Sequence, residues 1–351
     1  MKYHKERDAK TLKKLEQEKA KLPNFCNRFF LGISQTTAPL TRLAYATDLR
    51  LFFDFLTVEI DVFIGKKISE LNVKDLLLVE VFHIELFADY LSRYEKDGKI
   101  LCNGAQAKQR KLSSLRSFFA YLYKKGEIST NIMPNIDLPK VLAKPIIRLD
   151  DNEVEEVLDV IEDDELYTKG QRRFRQATEL RDKTIWLFFL ASGLRVSELV
   201  GLNVGDIDLE KNSFKVTRKG GAETILFISE ELHDGLKIYF AKYGTADENE
   251  PLFKSIQRKR ISIRQVENII HKYATKAVPL KNITPHKLRS TFGTNLYRAT
   301  GDIYAVADVL GHLDVNTTKK HYAATSEDTR REVTNKIRIR KSKDEIDAPD
   351  N

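Results

Sequence analysis

A proline-containing stretch in the middle of the chain constrains the fold more than any other feature. Residues 131–151, NIMPNIDLPKVLAKPIIRLDD, contain three prolines and show little periodicity. Proline removes a backbone donor and biases the preceding residue away from helix, so this stretch predicts an extended linker. The chain has 351 residues, which is too long for one compact core. We therefore expect two domains with a boundary near residue 140.

The part before the linker is predicted to be a bundle of helices. Apolar side chains recur at helical spacing in residues 41–56, TRLAYATDLRLFFDFL, and in residues 104–126, GAQAKQRKLSSLRSFFAYLYKKG. Gly126 is expected to end the second of these helices. The first apolar face consists of Tyr45, Leu49, Phe52, Phe53 and Leu56, and the second of Leu112, Leu115, Phe119 and Leu122. Residues 75–94 are apolar enough to form one buried helix between them. We expect this part to be all-helical.

The part after the linker is predicted to be mostly helical with a hairpin. Asp150 or Asp151 can cap a helix over residues 152–163, and residues 181–193 read as an apolar helix closed by Gly193. Two strand-like runs in residues 212–229 flank a double glycine, which indicates a hairpin. Helices are also predicted at 263–277, 284–300 and 302–310. The predicted fold class is mainly α with a small antiparallel sheet.

Composition limits the classes of partner. No apolar run approaches the about 20 residues that span a bilayer, and the first residues lack the apolar centre of a secretory signal, so we expect a cytoplasmic protein without a membrane partner. Cys26 and Cys102 have no partners at metal-ligand spacing, which indicates neither a zinc site nor a disulfide framework. A net charge of +8 favours a polyanion such as nucleic acid, although many basic proteins bind none.

Several polar residues are candidates for a site, and each also has an ordinary structural explanation. Arg195 follows the glycine that ends a buried helix, so it can point into a cleft or pair with Glu198. Lys219 precedes the double glycine of the hairpin, where a lysine is usually solvated. His286 and Arg289 are three residues apart near a helix start, where they can converge on one anion or remain solvated.

The last two candidates lie close together in sequence. His312 follows Gly311, a helix-ending glycine, and a histidine there is usually structural. Tyr322 comes ten residues later among lysines and threonines, where most tyrosines are packing residues with a wet hydroxyl. The separate signals are therefore weak.

The ordered set is much more specific, because residue types, order and spacing together resemble the tyrosine recombinases, the family of phage lambda integrase and the Xer recombinases. The set consists of Arg195, Lys219, His286, Arg289, His312 and Tyr322. The resemblance is strong over residues 145–335 and looser in the helical part, where residues 41–56 and 111–122 carry it. Within the family, the spacing and the TRKGG turn look most like single-recombinase Xer proteins of firmicutes. Ser290 departs from many relatives, which have a further histidine there.

The resemblance implies a two-domain DNA clamp. We expect a basic N-terminal helix over residues 1–22, a helical core-binding, SAM-like domain over 23–140, and a catalytic domain with a C-terminal tail over 141–351. The polar face of the helix at 104–126 is the candidate DNA-binding surface, with Gln106, Arg110, Ser113 and Arg116. Partners implied by the family are double-stranded DNA with a specific target site and a homotetramer on two duplexes.

The chemistry of the residues agrees with the implied reaction. Two arginines offer planar forks for a phosphate's nonbridging oxygens, and a tyrosine with an ordinary pKa of about 10 needs a positive pocket to attack at neutral pH. Histidines can take its proton, and Lys219 can protonate the leaving oxygen. Neither a Walker loop nor a carboxylate cluster is apparent in the sequence, so we expect no cofactor and no metal.

The expected function is site-specific recombination through a 3′-phosphotyrosyl link at Tyr322. It would serve Xer-type resolution of chromosome dimers or integration and excision of a mobile element. Two alternatives remain open. One is DNA relaxation of the type IB topoisomerase kind, and the other is a DNA-binding protein that has lost turnover.

Overall fold

The computed structural model describes residues 3–96, 98–142, 146–218, 220–244, 247–312, 314–316 and 318. The chain divides into two compact units, Met1–Lys144 and Pro145–Asn351. Within the described part of the chain, no helix is both long enough and apolar enough to cross a membrane.

The first unit is built on two long helices. Its helices are α1 (Tyr3–Lys19), α2 (Cys26–Gly32), α3 (Pro39–Glu59), α4 (Val73–Leu76), α5 (Val81–Tyr90) and α6 (Ala105–Lys124). Helix α3 packs against α1 and α6. The predicted apolar faces of α3 and α6 are buried, except that Tyr45 is only half-buried. At the end of α6, Gly126 has a φ of 70°, and the next N–H bonds back to the Leu122 carbonyl, as a helix-ending glycine should.

The prediction of one buried helix over residues 75–94 is wrong. The segment contains the end of α4 and all of α5, and it breaks where Leu77 and Leu78 are exposed. The Asn72 side chain accepts from the Lys74 N–H at 2.9 Å and starts the short α4, whereas α5 has its own start, where the Glu80 N–H donates to His83 Nδ1 at 3.0 Å. Apolar content alone could not locate that start.

The prediction that the first unit is all-helical is also wrong. After α5, the strands β1 (Tyr94–Lys96) and β2 (Lys99–Leu101) pair antiparallel, with Tyr94 opposite Leu101. Each strand has three residues, which is too short to show an alternating pattern. The strands begin four residues after α5 ends at Tyr90, so the predicted helix stopped too late.

The second unit is built around the C-terminal half of one long helix. Its helices are α7 (Asp151–Glu162), α8 (Lys169–Ser192), α9 (Val196–Gly201), α10 (Glu230–Tyr243), α11 (Ile263–Ala277), α12 (Pro285–Thr300) and α13 (Ile303–Leu310). Helix α8 contacts α7, α10 and α12. Its buried side chains include Trp186, Phe188 and Phe189, which are fully shielded from solvent. The helix starts predicted at Asp150 and Thr284 and the stop predicted at Gly193 are confirmed.

The predicted hairpin is confirmed as part of a three-stranded antiparallel sheet. Strands β4 (Ser213–Thr217) and β5 (Glu223–Phe227) pair with Thr217 opposite Glu223. A two-residue strand, β3 (Ile207–Asp208), pairs with the other edge of β4. The fold class is therefore as predicted, mainly α with small antiparallel sheets, and Arg218, which follows β4, contacts α9 and the end of α13.

Candidate active site

Arg195 lies at the junction between two helices of the second unit. Gly193 ends α8 with a φ of 58°, and Arg195 is the residue that begins α9. The Arg195 Nη1 lies 2.8 Å from Glu198 Oε1, and its backbone N–H donates to Glu198 Oε2 at 2.9 Å. The arginine side chain is 33% exposed, whereas the glutamate side chain is 2% exposed. The predicted pairing with Glu198 is therefore observed, and the guanidinium remains partly open to solvent, while its direction into a cleft stays a prediction.

Arg218 is a site residue that sequence reasoning missed. It follows β4, and its side chain is only 8% exposed. Its Nη1 lies 3.1 Å from Glu198 Oε2, and its Nη2 donates to the Val309 carbonyl at 2.7 Å. Burial lowers the pKa of the guanidinium, and the neighbouring Arg195 lowers it further, but arginine stays charged at neutral pH. A basic residue at a strand end normally indicates a solvated side chain, so no sequence signal pointed inward.

Arg289 is buried on α12, with 3% of its surface exposed. Its Nη1 donates to the Gly193 carbonyl at 2.7 Å, and its Nη2 donates to the Leu310 carbonyl. Its neighbours on the helix include Leu288, which is buried, and Phe292, which is half-buried. His286, one turn earlier, is exposed. That His286 and Arg289 converge on one anion therefore stays a prediction.

The three guanidiniums meet at the carboxyl end of α13. Three successive carbonyls, those of Val309, Leu310 and Gly311, accept hydrogen bonds from Arg218, Arg289 and Arg195 respectively, the last at 3.3 Å. A helix end has unsatisfied carbonyls and the negative pole of the helix dipole, so it stabilises cations gathered there. With Glu198 as the carboxylate that pairs with two of them, the cluster keeps an excess of positive charge, which suits an anionic group.

Gly311 is required where it stands for two reasons. Its φ of 61° lies in the left-handed region, which a side chain disfavours. A Cβ on this residue would also lie 3.1 Å from the Arg218 Nε and 3.2 Å from its Cζ. The sequence predicted the helix stop at this glycine, and the structure adds the close approach of the arginine.

His312 follows directly and is held at one ring nitrogen. Its backbone N–H donates to the Ala307 carbonyl at 2.9 Å, which continues the cap of α13. Its Nδ1 lies 2.7 Å from the hydroxyl oxygen of Thr318, a buried residue. That contact fixes the ring orientation, and the tautomer decides whether the nitrogen donates or accepts. The imidazole is half-buried, so it can act as a hydrogen-bonding or proton-accepting group at the edge of the arginine cluster.

The structure thus brings together Arg195, Arg289 and His312 from the sequence-predicted set. His286 lies on the same helix as Arg289 but at the surface. Lys219 and Tyr322 lie outside the described residues, so their roles stay predictions.

The polar face of α6 in the first unit is partly used for internal contacts. Gln106 and Ser113 are exposed. Arg110 forms a two-pronged ion pair with the buried carboxylate of Asp48, with N–O distances of 2.6 and 2.7 Å. Arg116 donates to the Ile136 carbonyl at 3.0 Å and so ties the chain after α6 to that helix. Both arginines have structural partners, and contact of this face with DNA stays a prediction.

Comparison with known proteins identifies relatives of both parts of the chain. The family model described as Phage integrase family matches residues 148–329, and the one described as Phage integrase, N-terminal SAM-like domain matches residues 26–126. The tyrosine recombinase XerC of Thermodesulfovibrio yellowstonii is 32% identical over 308 residues, covering 85% of this chain and 89% of that protein. The XerC of Caldanaerobacter subterraneus subsp. tengcongensis is 32% identical over 345 residues, covering 93% and 91%.

Solved structures show the same fold. The XerH site-specific recombinase bound to its difH substrate, in a pre-cleavage complex, matches with a TM-score of 0.62 at 19% identity, over 85% of this chain and 79% of that one. A Tn1549 transposon integrase in complex with a circular intermediate DNA matches with a TM-score of 0.62 at 19% identity, over 89% and 98%.

Proposed function

Since the chain belongs to the phage integrase family of tyrosine recombinases, we propose that it cleaves and rejoins DNA at a specific site through a covalent link to Tyr322. The observation that carries the proposal is the cluster of three guanidiniums on the last carbonyls of α13, with His312 next to it. Such a cluster can bind an anion. In this family the anion is the phosphodiester that is transferred between two oxygens.

In the proposed reaction, the Tyr322 hydroxyl attacks the scissile phosphorus and the 5′ oxygen leaves. Arg195 and Arg289 neutralise the charge that builds on the nonbridging oxygens, Arg195 from a partly exposed position and Arg289 from a buried one. His286 and His312 supply hydrogen bonds or accept the tyrosine proton, and Lys219 protonates the leaving oxygen. The products are a 3′-phosphotyrosyl link and a free 5′-hydroxyl, and attack by a hydroxyl from a partner duplex reverses the step.

We propose a target that is double-stranded DNA with a defined sequence, bound by a homotetramer that joins two duplexes. The net charge of +8 supports a polyanionic partner, and the solved structures of recombinases bound to DNA have the same fold. The assignment of residues 1–22, 23–140 and 141–351 to a basic helix, a core-binding domain and a catalytic domain belongs to the same proposal. The XerC relatives favour resolution of chromosome dimers, with mobile-element integration as the other role in the same class.

The first experiment recovers the site and asks whether cleavage depends on it. The full chain is used to select duplexes from a random-sequence library, and the selected duplex is cloned into a supercoiled plasmid. We expect covalent adducts at the 3′ end of the cleaved strand only on the plasmid that contains the site. Relaxation of both plasmids at equal rates would instead assign the chain to topoisomerase-like activity, and binding without any adduct would make it a silent DNA-binding protein.

The second experiment tests the proton donor. Lys219→Ala should cleave slowly because the departing 5′ alkoxide is not protonated, by a factor of about 10² to 10⁴. A 5′-bridging sulfur leaves without a proton, so that substrate should restore the rate. A variant that stays slow on the sulfur substrate would show that Lys219 has another role.

A further inference from the structure

The buried arginine at the end of β4, Arg218, has a position that the proposed reaction does not by itself explain. Arginine is almost never buried unless it is paired, and a hairpin next to solvent normally leaves such a side chain outside. Here the side chain turns inward, with 8% of its surface exposed, and makes its contacts with residues of two other elements. An inward cation beside two further arginines has an electrostatic cost, so its contacts must compensate for that cost.

Those contacts join the hairpin to the two elements that hold Arg195. One prong of the guanidinium pairs with Glu198 on α9, and the other donates to the Val309 carbonyl at the end of α13. Arg195 contacts the same two elements, through Glu198 and through the Gly311 carbonyl. Both arginines therefore contact the same carboxylate, that of Glu198, and the same helix end, that of α13.

The division of the carboxylate oxygens shows how one arginine affects the other. Glu198 Oε1 lies 2.8 Å from Arg195 Nη1, and Oε2 lies 3.1 Å from Arg218 Nη1. Oε2 also accepts the backbone N–H of Arg195 at 2.9 Å, so the Arg218 guanidinium adds to that bond in holding the carboxylate with only Oε1 toward the Arg195 guanidinium. One negative charge is also divided between two positive ones, so Arg195 keeps charge available for a phosphate. Of the two guanidiniums, only that of Arg195 is substantially open to solvent.

We propose that Arg218 is a positioning residue that fixes the guanidinium of Arg195 through their common partner Glu198 and the end of α13. This inference rests on the proposed function. In this role Arg218 acts through Glu198 and does not itself contact the phosphate. A lysine cannot replace it, because an ammonium is a point donor, whereas the guanidinium fork reaches the carboxylate and the carbonyl at the same time.

The test is a double-mutant cycle on the cleavage rate. The full chain, Arg218→Lys, Arg195→Lys and the double variant are compared in single-turnover cleavage of a nicked duplex that contains the selected site. We expect Arg218→Lys to slow cleavage about ten- to a hundredfold, since misplacing a contacting group by about 1 Å costs on the order of a hundredfold. In the Arg195→Lys background, the same change should cost less than about threefold, because residues that act as a unit are not additive. Full multiplicative losses would overturn the proposal.

A second substrate separates this role from an effect on the neighbouring Lys219. A methylphosphonate at the scissile position removes the negative charge that Arg195 neutralises, so it should bring Arg218→Lys close to the parent rate. A 5′-bridging sulfur should not restore the variant. Rescue by sulfur instead would show that Arg218 acts on the proton donor, and it would overturn the assignment to Arg195.

Controls keep the outcome interpretable. Arg264→Lys makes the same chemical change at a side chain that is 82% exposed and should cleave as the parent does. Binding of one half-site and the thermal midpoint report folding, and Arg218→Gln, which removes the charge and shortens the side chain, is the second variant. Loss of half-site binding in both variants would assign Arg218 to folding alone and overturn the proposal. Failure of the parent chain to form any adduct would instead refute the proposed function.

Discussion

The ion pair between α3 and α6 gives the sharpest stability prediction, because it separates a structural role of Arg110 from a DNA-binding role. Asp48 is 2% exposed, and its carboxylate accepts two bonds from Arg110 and one, at 2.6 Å, from the Ser114 hydroxyl. Replacing Arg110 by methionine keeps most of the aliphatic packing and leaves a buried carboxylate with the serine as its remaining side-chain donor.

The magnitude follows from the exposure of the arginine. A hydrogen bond to a charged group contributes about 1.5–3 kcal/mol, and Arg110 makes two. Its side chain is 51% exposed, so solvent screens the pair and water can reach the carboxylate after substitution. We discount the sum by about half and expect Arg110→Met to cost roughly 1.5–3 kcal/mol. For a unit of this size that corresponds to a fall of about 6–12 °C in the midpoint of its unfolding transition.

The assay uses the single tryptophan of the chain. Trp186 lies in the second unit, so its fluorescence follows that unit, while calorimetry follows both. We expect Arg110→Met to lower a calorimetric transition that tryptophan fluorescence does not report. Arg28→Met is the matched control, because Arg28 is 72% exposed and lies 3.5 Å from Glu127, and it should change stability by less than about 0.5 kcal/mol.

Binding measurements on the same variant test the sequence-based prediction that Arg110 contacts a phosphate. Loss of a phosphate contact lowers the slope of log affinity against log salt by about one. An unchanged slope with a lowered midpoint would assign Arg110 to stability alone. A midpoint within about 0.5 kcal/mol of the parent would refute the structural reasoning, since the buried carboxylate would then have lost a partner at no cost.

Three further predictions follow from other parts of the chain. Gly193→Ala should cost about 2–3 kcal/mol in denaturant unfolding, because its φ is 58° and a Cβ would lie 2.4 Å from Phe292. Gly170→Ala, in the first turn of α8 where a Cβ meets open space, should not destabilise the protein. Burial opposes ionisation of Asp75, but the Lys66 ammonium and a backbone N–H outweigh it and lower the pKa of the carboxyl. Its contribution is therefore present above the unfolded pKa of about 4 and is lost as pH falls through the lowered folded pKa, so Asp75→Asn should melt earlier than the parent at pH 7, and the difference should disappear as the solution is acidified through that folded pKa. The logarithm of the DNA affinity, measured by fluorescence anisotropy, should fall linearly with the logarithm of the salt concentration. Near-constant affinity between about 50 and 200 mM salt would contradict binding through phosphates.

Periodicity and capping residues predicted much of the fold because they act within a few residues of the chain. The starts at Asp150 and Thr284 and the stop at Gly193 follow from local backbone needs, and they are confirmed. The short hairpin after α5 was missed because three-residue strands have no readable period. The break between α4 and α5 is followed by a separate helix start at Glu80, which the apolar content of the segment does not reveal.

Contacts between distant residues were beyond sequence reasoning. Nothing near Arg218 in the sequence indicates that its partners are Glu198 and the carbonyl of Val309, 91 positions later. The same holds for Asp48 and Arg110, which are 62 positions apart. The burial of Arg289 was likewise not predicted, since helical spacing told only which residues share a face. The order and spacing of the site residues indicated the family, but not how the arginines are held.

The most direct test of the account is whether Tyr322 forms the covalent link. The parent chain and Tyr322→Phe are incubated with a nicked duplex that carries the selected site, so that the cleaved fragment diffuses away and the intermediate is trapped. The account predicts that both proteins bind the duplex equally and that only the parent yields a protein–DNA adduct, with the peptide attached to DNA containing Tyr322. An adduct formed by Tyr322→Phe at the parent's rate, or an adduct peptide that lacks Tyr322, would contradict it.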